Sequence, residues 1–93
     1  MKEIKSVKDP LPIDHYMRAV LSKNNLCKSD LARGLNVNPS TITRLFKGEI
    51  PITCGMALYF ESVSTKKAET WMSIQTKYIL HRLRNTQRNE LPN

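Results

Sequence analysis

Ser40, Thr41, Thr43, Arg44 and Lys47 lie within one short segment, and their side chains share one kind of chemistry. The hydroxyls of Ser40 and Thr43 both donate and accept hydrogen bonds, and a threonine methyl fits against a thymine methyl. The planar fork of Arg44 matches the two acceptors on a guanine edge. Lys47 offers a point charge to a phosphate oxygen. If the segment is helical, Ile42 and Leu45, with Phe46 beside them, take one side and the polar residues take the other. None of those polar residues is acidic, whereas a face that is merely solvated usually mixes in Glu and Asp.

The flanking residues say what must hold this face in place. Asn38 and Pro39 form a helix start signal, an N-cap followed by proline at the first helical position. Gly48 is a stop signal. Upstream, Leu31, Ala32 and Leu35 share one face of another short helix, and Ala32 is small enough to let two crossing backbones approach. Asn36 tolerates the left-handed backbone of a tight helix exit, and Val37 fills the corner. Two helices, about Lys28 to Leu35 and Pro39 to Lys47, thus meet in a helix-turn-helix pattern. An αα-hairpin with no nucleic-acid role has the same outline, but the acid-free face favours docking in a groove of double-stranded DNA.

On this reading Arg44 is the first base-reading residue, with Ser40 and Thr43 beside it. Pro39 lies against the backbone or a thymine methyl, and Asn38 stands at the same helix start. Thr41 either meets a phosphate or base or only supports packing. Lys47 and Lys28 hold phosphates, as does the N-terminus of the helix that Lys28 begins. The alternatives are plain solvation for the two lysines and, for Arg44, a salt bridge to Asp30 or Glu49.

Charge agrees with an anionic partner. The chain of 93 residues carries 15 Lys and Arg against 8 Asp and Glu, a net charge of +7, and that balance most often marks nucleic acid. The length gives one small domain. The two cysteines, Cys27 and Cys54, and the two histidines, His15 and His81, have no ligand spacing, so no metal or other cofactor is expected. No nucleophile–base pair, carboxylate pair or glycine-rich phosphate loop is present, so an enzyme is not expected. No apolar run reaches membrane length and nothing resembles a signal peptide, so the expected location is the cytoplasm.

Three further helices complete the pattern. The first is expected from about Ile13 to Asn24, with Tyr16 and Val20 and either Met17 or Leu21 as its core stripe. Thr53 caps a fourth, about Cys54 to Ser62, burying Met56, Ala57 and Phe60. Ser64 or Thr65 caps a fifth, from about Lys66 to Asn85 or beyond. Residues 1–11 read as a flexible arm, in which Ile4 and Val7 are available for strand pairing, and residues 86–93 as a flexible tail. At about 100° per residue, Trp71, Ile74 and Tyr78 fall on one face of the fifth helix, and Met72, Ile79 and Leu83 fall a quarter turn away. Two adjacent apolar faces suggest a second copy of the same helix, hence a homodimer. A single broad stripe packed within one chain is the alternative. Arg82, Arg84 and Arg88 form a basic cluster that adds phosphate contacts, binds an acidic partner, or simply suits a solvated helix C-terminus.

Several of these segments resemble a known family. Leu31-Ala32, the Asn38-to-Leu45 helix and Gly48 look like the Cro/C1-type helix-turn-helix repressors. Ile52-Thr53 with Met56-Ala57-Leu58, and Ala68-Glu69-Thr70-Trp71-Met72-Ser73-Ile74-Gln75 with Tyr78, resemble the corresponding helices of HigA-type (VapI-like) antitoxins. The chain departs from that pattern at Ile13, at Ser64-Thr65-Lys66-Lys67, which is one residue longer, and at Ile79. The resemblance implies an all-α, five-helix Cro/C1 repressor-like domain over residues 12–85 with a long C-terminal dimerisation helix. It also implies a homodimer that binds a palindromic operator at its own promoter and neutralises a HigB-type toxin, a ribosome-dependent mRNA endonuclease. Two other roles fit the same residues: a stand-alone or phage-type Cro-like regulator, and a protein-interaction module whose DNA binding is vestigial.

Overall fold

The computed structural model describes residues 9–90, with side chains described as far as residue 86. Ile4 and Val7 of the expected arm and the side chain of Arg88 lie outside the described residues. The described residues fold into five helices, α1 (Ile13–Lys23), α2 (Lys28–Leu35), α3 (Pro39–Lys47), α4 (Cys54–Ser62) and α5 (Ala68–Glu90). No strand occurs among the described residues.

Each turn follows from local chemistry. Asn25 adopts a left-handed φ of 54° and ends α1. Cys27 begins α2 in an unexpected way. It occupies the N-cap of a capping box, a place usually held by Ser or Thr, and its N–H donates to Asp30 Oδ2 at 2.8 Å. Asn36 takes the left-handed conformation, φ 59° and ψ 48°, and the N–H groups of Asn36 and Val37 close on the carbonyls of Arg33 and Ala32. Thr53 caps α4 by accepting the N–H of Met56 at 3.2 Å.

The core is built from one face of every helix. Met17 and Val20 of α1, Leu31 and Ala32 of α2, Ile42, Leu45 and Phe46 of α3, Ala57 and Phe60 of α4 and Trp71 of α5 are buried, with Ile52 of the connector among them. Met17 takes the central place in the α1 stripe, while Tyr16 is only half-buried. Phe60 and Trp71 stack with ring centroids 4.7 Å apart, tying α4 to α5. Gly34 lets α2 approach α4, because a Cβ there would come within 2.6 Å of the Tyr59 hydroxyl.

The fifth helix differs from expectation at its start. Ser64 does not cap it. Its hydroxyl donates to the Phe60 carbonyl at 2.7 Å and accepts from Trp71 Nε1 at 3.2 Å, so it is committed to the α4–α5 turn. The first helical N–H, that of Ala68, donates instead to Glu61 Oε1 at 2.7 Å. At the other end the helix continues to Glu90, through the first part of the expected tail. The residues from Thr86 to Glu90 are polar, but neither glycine nor proline interrupts them, and polarity alone does not stop a helix.

Candidate nucleic-acid interface

α3 presents its polar side outward. Ser40, Thr43, Arg44 and Lys47 are exposed, whereas Ile42, Leu45 and Phe46 are buried beneath them. Thr41 is half-buried and Pro39 is exposed. Asn38 occupies the N-cap position, but its side chain makes no capping bond. Its carbonyl accepts the Thr41 N–H at 2.9 Å, and the amide is left free at the exposed start of α3. The Thr43 hydroxyl lies 3.4 Å from the Pro39 carbonyl, a long contact that leaves it available outward. At the far end Gly48 takes φ 79°, and the N–H of Glu49 returns to the Arg44 carbonyl at 2.9 Å. The helix is therefore closed at its C-terminus by a Schellman-type turn.

Arg44 has a partner. Its Nε lies 3.5 Å from Glu49 Oε1, both side chains being more than half exposed. Of the two acids named above for Arg44, Glu49 is the one engaged. Asp30 is committed elsewhere, to the Cys27 N–H and, in an ion pair, to Arg33. The Cys27 N–H, helped by the Cys27 thiol and Arg33, holds the Asp30 carboxyl below its ordinary value.

Lys28 is not simply solvated. Its Nζ stands 4.7 Å from the centroid of the Phe46 ring, and the guanidinium of Arg18 stands 5.1 Å from the same centroid. Cations from α1 and α2 thus converge on an aromatic ring of α3. Nothing in the sequence points to Arg18. Its i,i+4 pairing with Asp14, at 3.1 Å, makes it look like an ordinary solvated helix residue, and only the fold brings it to Phe46.

The residues expected to meet a second copy separate into two sets. Trp71 is fully buried inside its own chain, so its side chain is not available for a subunit contact. Met72 and Ile74 are half-buried, and Met72 packs against the core. Ile79 and Leu83, one turn apart, are exposed by 39% and 52%, and Leu80 joins them at 39%. Tyr78 is half-buried, with the Arg82 guanidinium 5.8 Å from its ring centroid. An apolar hollow of about 140 Å³ opens beside Ile79 and Tyr78, walled by Ile13, Ile50 and Pro51. Among the described residues no helix is long and apolar enough to cross a membrane.

No family model matches this chain, and no curated protein matches it in sequence. Among solved structures it is similar to PA4674 of Pseudomonas aeruginosa, crystallised in complex with its 28 bp operator DNA. The two share 22% identity and a TM-score of 0.74, over 88% of this chain and 91% of the other. At that identity the likeness is one of fold. The described residues form an all-helical domain with a helix-turn-helix at α2 and α3, and it shares its overall fold with that protein.

Proposed function

We propose that this protein is a sequence-specific DNA-binding transcriptional repressor that acts as a homodimer on a palindromic operator. The observation that carries the proposal is the α3 face. It starts with proline at the first helical position, is closed at its C-terminus by the Gly48 turn, is backed by three buried apolar residues, and is turned outward with Ser40, Thr43, Arg44 and Lys47. A structural neighbour with the same fold was crystallised on its operator, which favours DNA over another anionic partner. In this reading α3 lies in the major groove and Arg44 reads a guanine. Lys47, Lys28 and Arg18 hold phosphates, with no catalytic step and no cofactor. Ile79 and Leu83 form the seam between two copies, which sets the half-sites about 34 Å apart, one turn of duplex.

Within that function we further propose an antitoxin role. The protein would repress its own operon and neutralise a HigB-type mRNA endonuclease in the cytoplasm. The support is the resemblance carried by Ile52-Thr53, Met56-Ala57-Leu58 and the Ala68-to-Tyr78 segment.

Fluorescence anisotropy tests the DNA reading. A duplex from upstream of the gene is compared with a scrambled duplex at low and physiological salt. Preference for the native fragment that survives the higher salt is the expected result. Equal binding that vanishes with salt would reduce the interaction to counterion release and leave a protein partner as the main role. Co-expression with the neighbouring gene tests the antitoxin role: growth arrest relieved by this protein supports it, and a harmless neighbour removes it.

A further inference from the structure

We infer that Glu49 is a specificity-determining residue that positions Arg44 for its base, an assignment that rests on the DNA reading above. Glu49 belongs to the turn that ends α3, not to the helix itself. Its backbone position is nonetheless set by the helix. Gly48 turns the chain with φ 79°, and the Glu49 N–H closes on the Arg44 carbonyl at 2.9 Å. That bond folds the carboxylate back beside the Arg44 side chain, where Oε1 stands 3.5 Å from Nε.

The edge engaged is the important detail. A guanidinium offers five N–H donors; the nearest approach of the carboxylate is to Nε at 3.5 Å, a charge pairing and not a hydrogen bond, and a carboxylate held on that side leaves the terminal Nη groups for another partner. Those groups suit an end-on fork onto O6 and N7 of guanine. Glu49 therefore selects one of the two ways in which Arg44 grips a base. It also restrains a long side chain that is otherwise free to wander.

The same carboxylate discriminates against the wrong complex. On non-cognate DNA an arginine at this position is drawn to a phosphate. Turning Arg44 toward a phosphate strips Glu49 of its partner and leaves a carboxylate facing a polyanion. On the cognate site Arg44 reaches the base with its Nη groups while Nε stays on Glu49, so both charges remain paired. In water the pair is half exposed and contributes little to stability. In the groove, with water displaced, its influence grows. Glu49 thus raises the ratio of specific to non-specific binding by weakening the non-specific mode.

The test is a double-mutant cycle. Glu49→Gln, Arg44→Ala and the double variant are titrated by anisotropy against the native upstream duplex and a scrambled one, and circular dichroism checks their folding. Glu49→Gln is expected to bind scrambled DNA more tightly and to lower the native-to-scrambled ratio about five- to tenfold. In the Arg44→Ala background the same change is expected to leave the ratio unaltered. A Glu49→Gln ratio equal to that of the unaltered protein overturns the assignment while the DNA reading stands. An equal fall in both backgrounds also overturns it, because Glu49 then acts without Arg44. If the unaltered protein itself shows no preference, the DNA reading fails and this assignment falls with it.

Discussion

The side-chain amide of Gln75 pairs with the backbone of Ile52 as a strand neighbour does. Its Oε1 accepts the Ile52 N–H at 2.6 Å, and its Nε2 donates to the Ile52 carbonyl at 3.1 Å. Gln75 is only 7% exposed and Ile52 2%. The connector after α3 has no helical partner for these groups, so α5 supplies one. Gln75→Leu keeps much of the volume and removes both bonds, leaving a buried N–H and a buried carbonyl unsatisfied. We expect a loss of about 2–4 kcal/mol, read as a lower urea midpoint at unchanged slope. A variant as stable as the parent would show that water replaces the amide.

Arg44 and Lys47 are one turn apart but are assigned different tasks. Arg44→Ala should cost about 1–3 kcal/mol at one base pair per half-site and relax preference there. Lys47→Ala should weaken native and scrambled duplexes about equally. Anisotropy on a set of single-base operator variants separates the two patterns. Unchanged base preference in Arg44→Ala would move the base-reading role to Ser40 or Thr43.

Lys28 and Arg18 meet at Phe46, and the ring neutralises neither, although Arg18 also pairs with Asp14 at 3.1 Å. Each is therefore expected to release counterions when the domain docks. Replacing either with Ala should reduce the slope of log affinity against log salt by about one, and replacing both by about two. A slope that stays put in Arg18→Ala would confine that residue to its pair with Asp14.

Much of this arrangement was legible in the residues, and the exceptions have physical causes. The three shorter helices after α1 lie where their punctuation put them, because Asn36, Pro39, Gly48 and Thr53 each act through their own backbone or nearest turn. The start of α5 was misplaced because its capping acceptor, Glu61, lies seven residues earlier, beyond any local signal. Cys27 was overlooked as a cap because a thiol seldom fills that role. Trp71 looked like half of a subunit seam because periodicity reports that a face is apolar and does not report what covers it. Phe60 covers it here. Arg18 belongs to the candidate site through a contact formed across a helix crossing, which no single helical face contains, whereas the Arg44–Glu49 pair is one of the two that the sequence offers.

The capping box of α2 makes a prediction about pH. The Cys27 N–H and thiol depress the Asp30 carboxyl below its usual value of about 4 in the folded protein. A depressed folded value adds stability above the unfolded value, and that contribution disappears as pH falls through the folded one. The parent should therefore melt higher than Asp30→Ala at pH 6, and the gap should close as pH is lowered from about 4 toward 2. A gap independent of pH would mean that the carboxylate charge plays no part in the cap.

Ile79 and Leu83 are where the proposed homodimer is tested. Both are exposed on the outer side of α5, and neither belongs to the buried core. Asp at both positions should leave each chain helical while preventing two apolar seams from closing. Sedimentation at micromolar concentration is expected to show a dimer for the parent and a monomer for the double variant. The monomer should bind the operator far more weakly, since one half-site alone is then engaged. Melting is expected to fall through mass action and to become independent of concentration, whereas a Trp71→Ala chain should lose its fold outright because that ring is wholly interior. A dimer that survives Ile79→Asp/Leu83→Asp would place the seam elsewhere, and the apolar hollow walled by Ile13, Ile50 and Pro51 would be the next surface to alter.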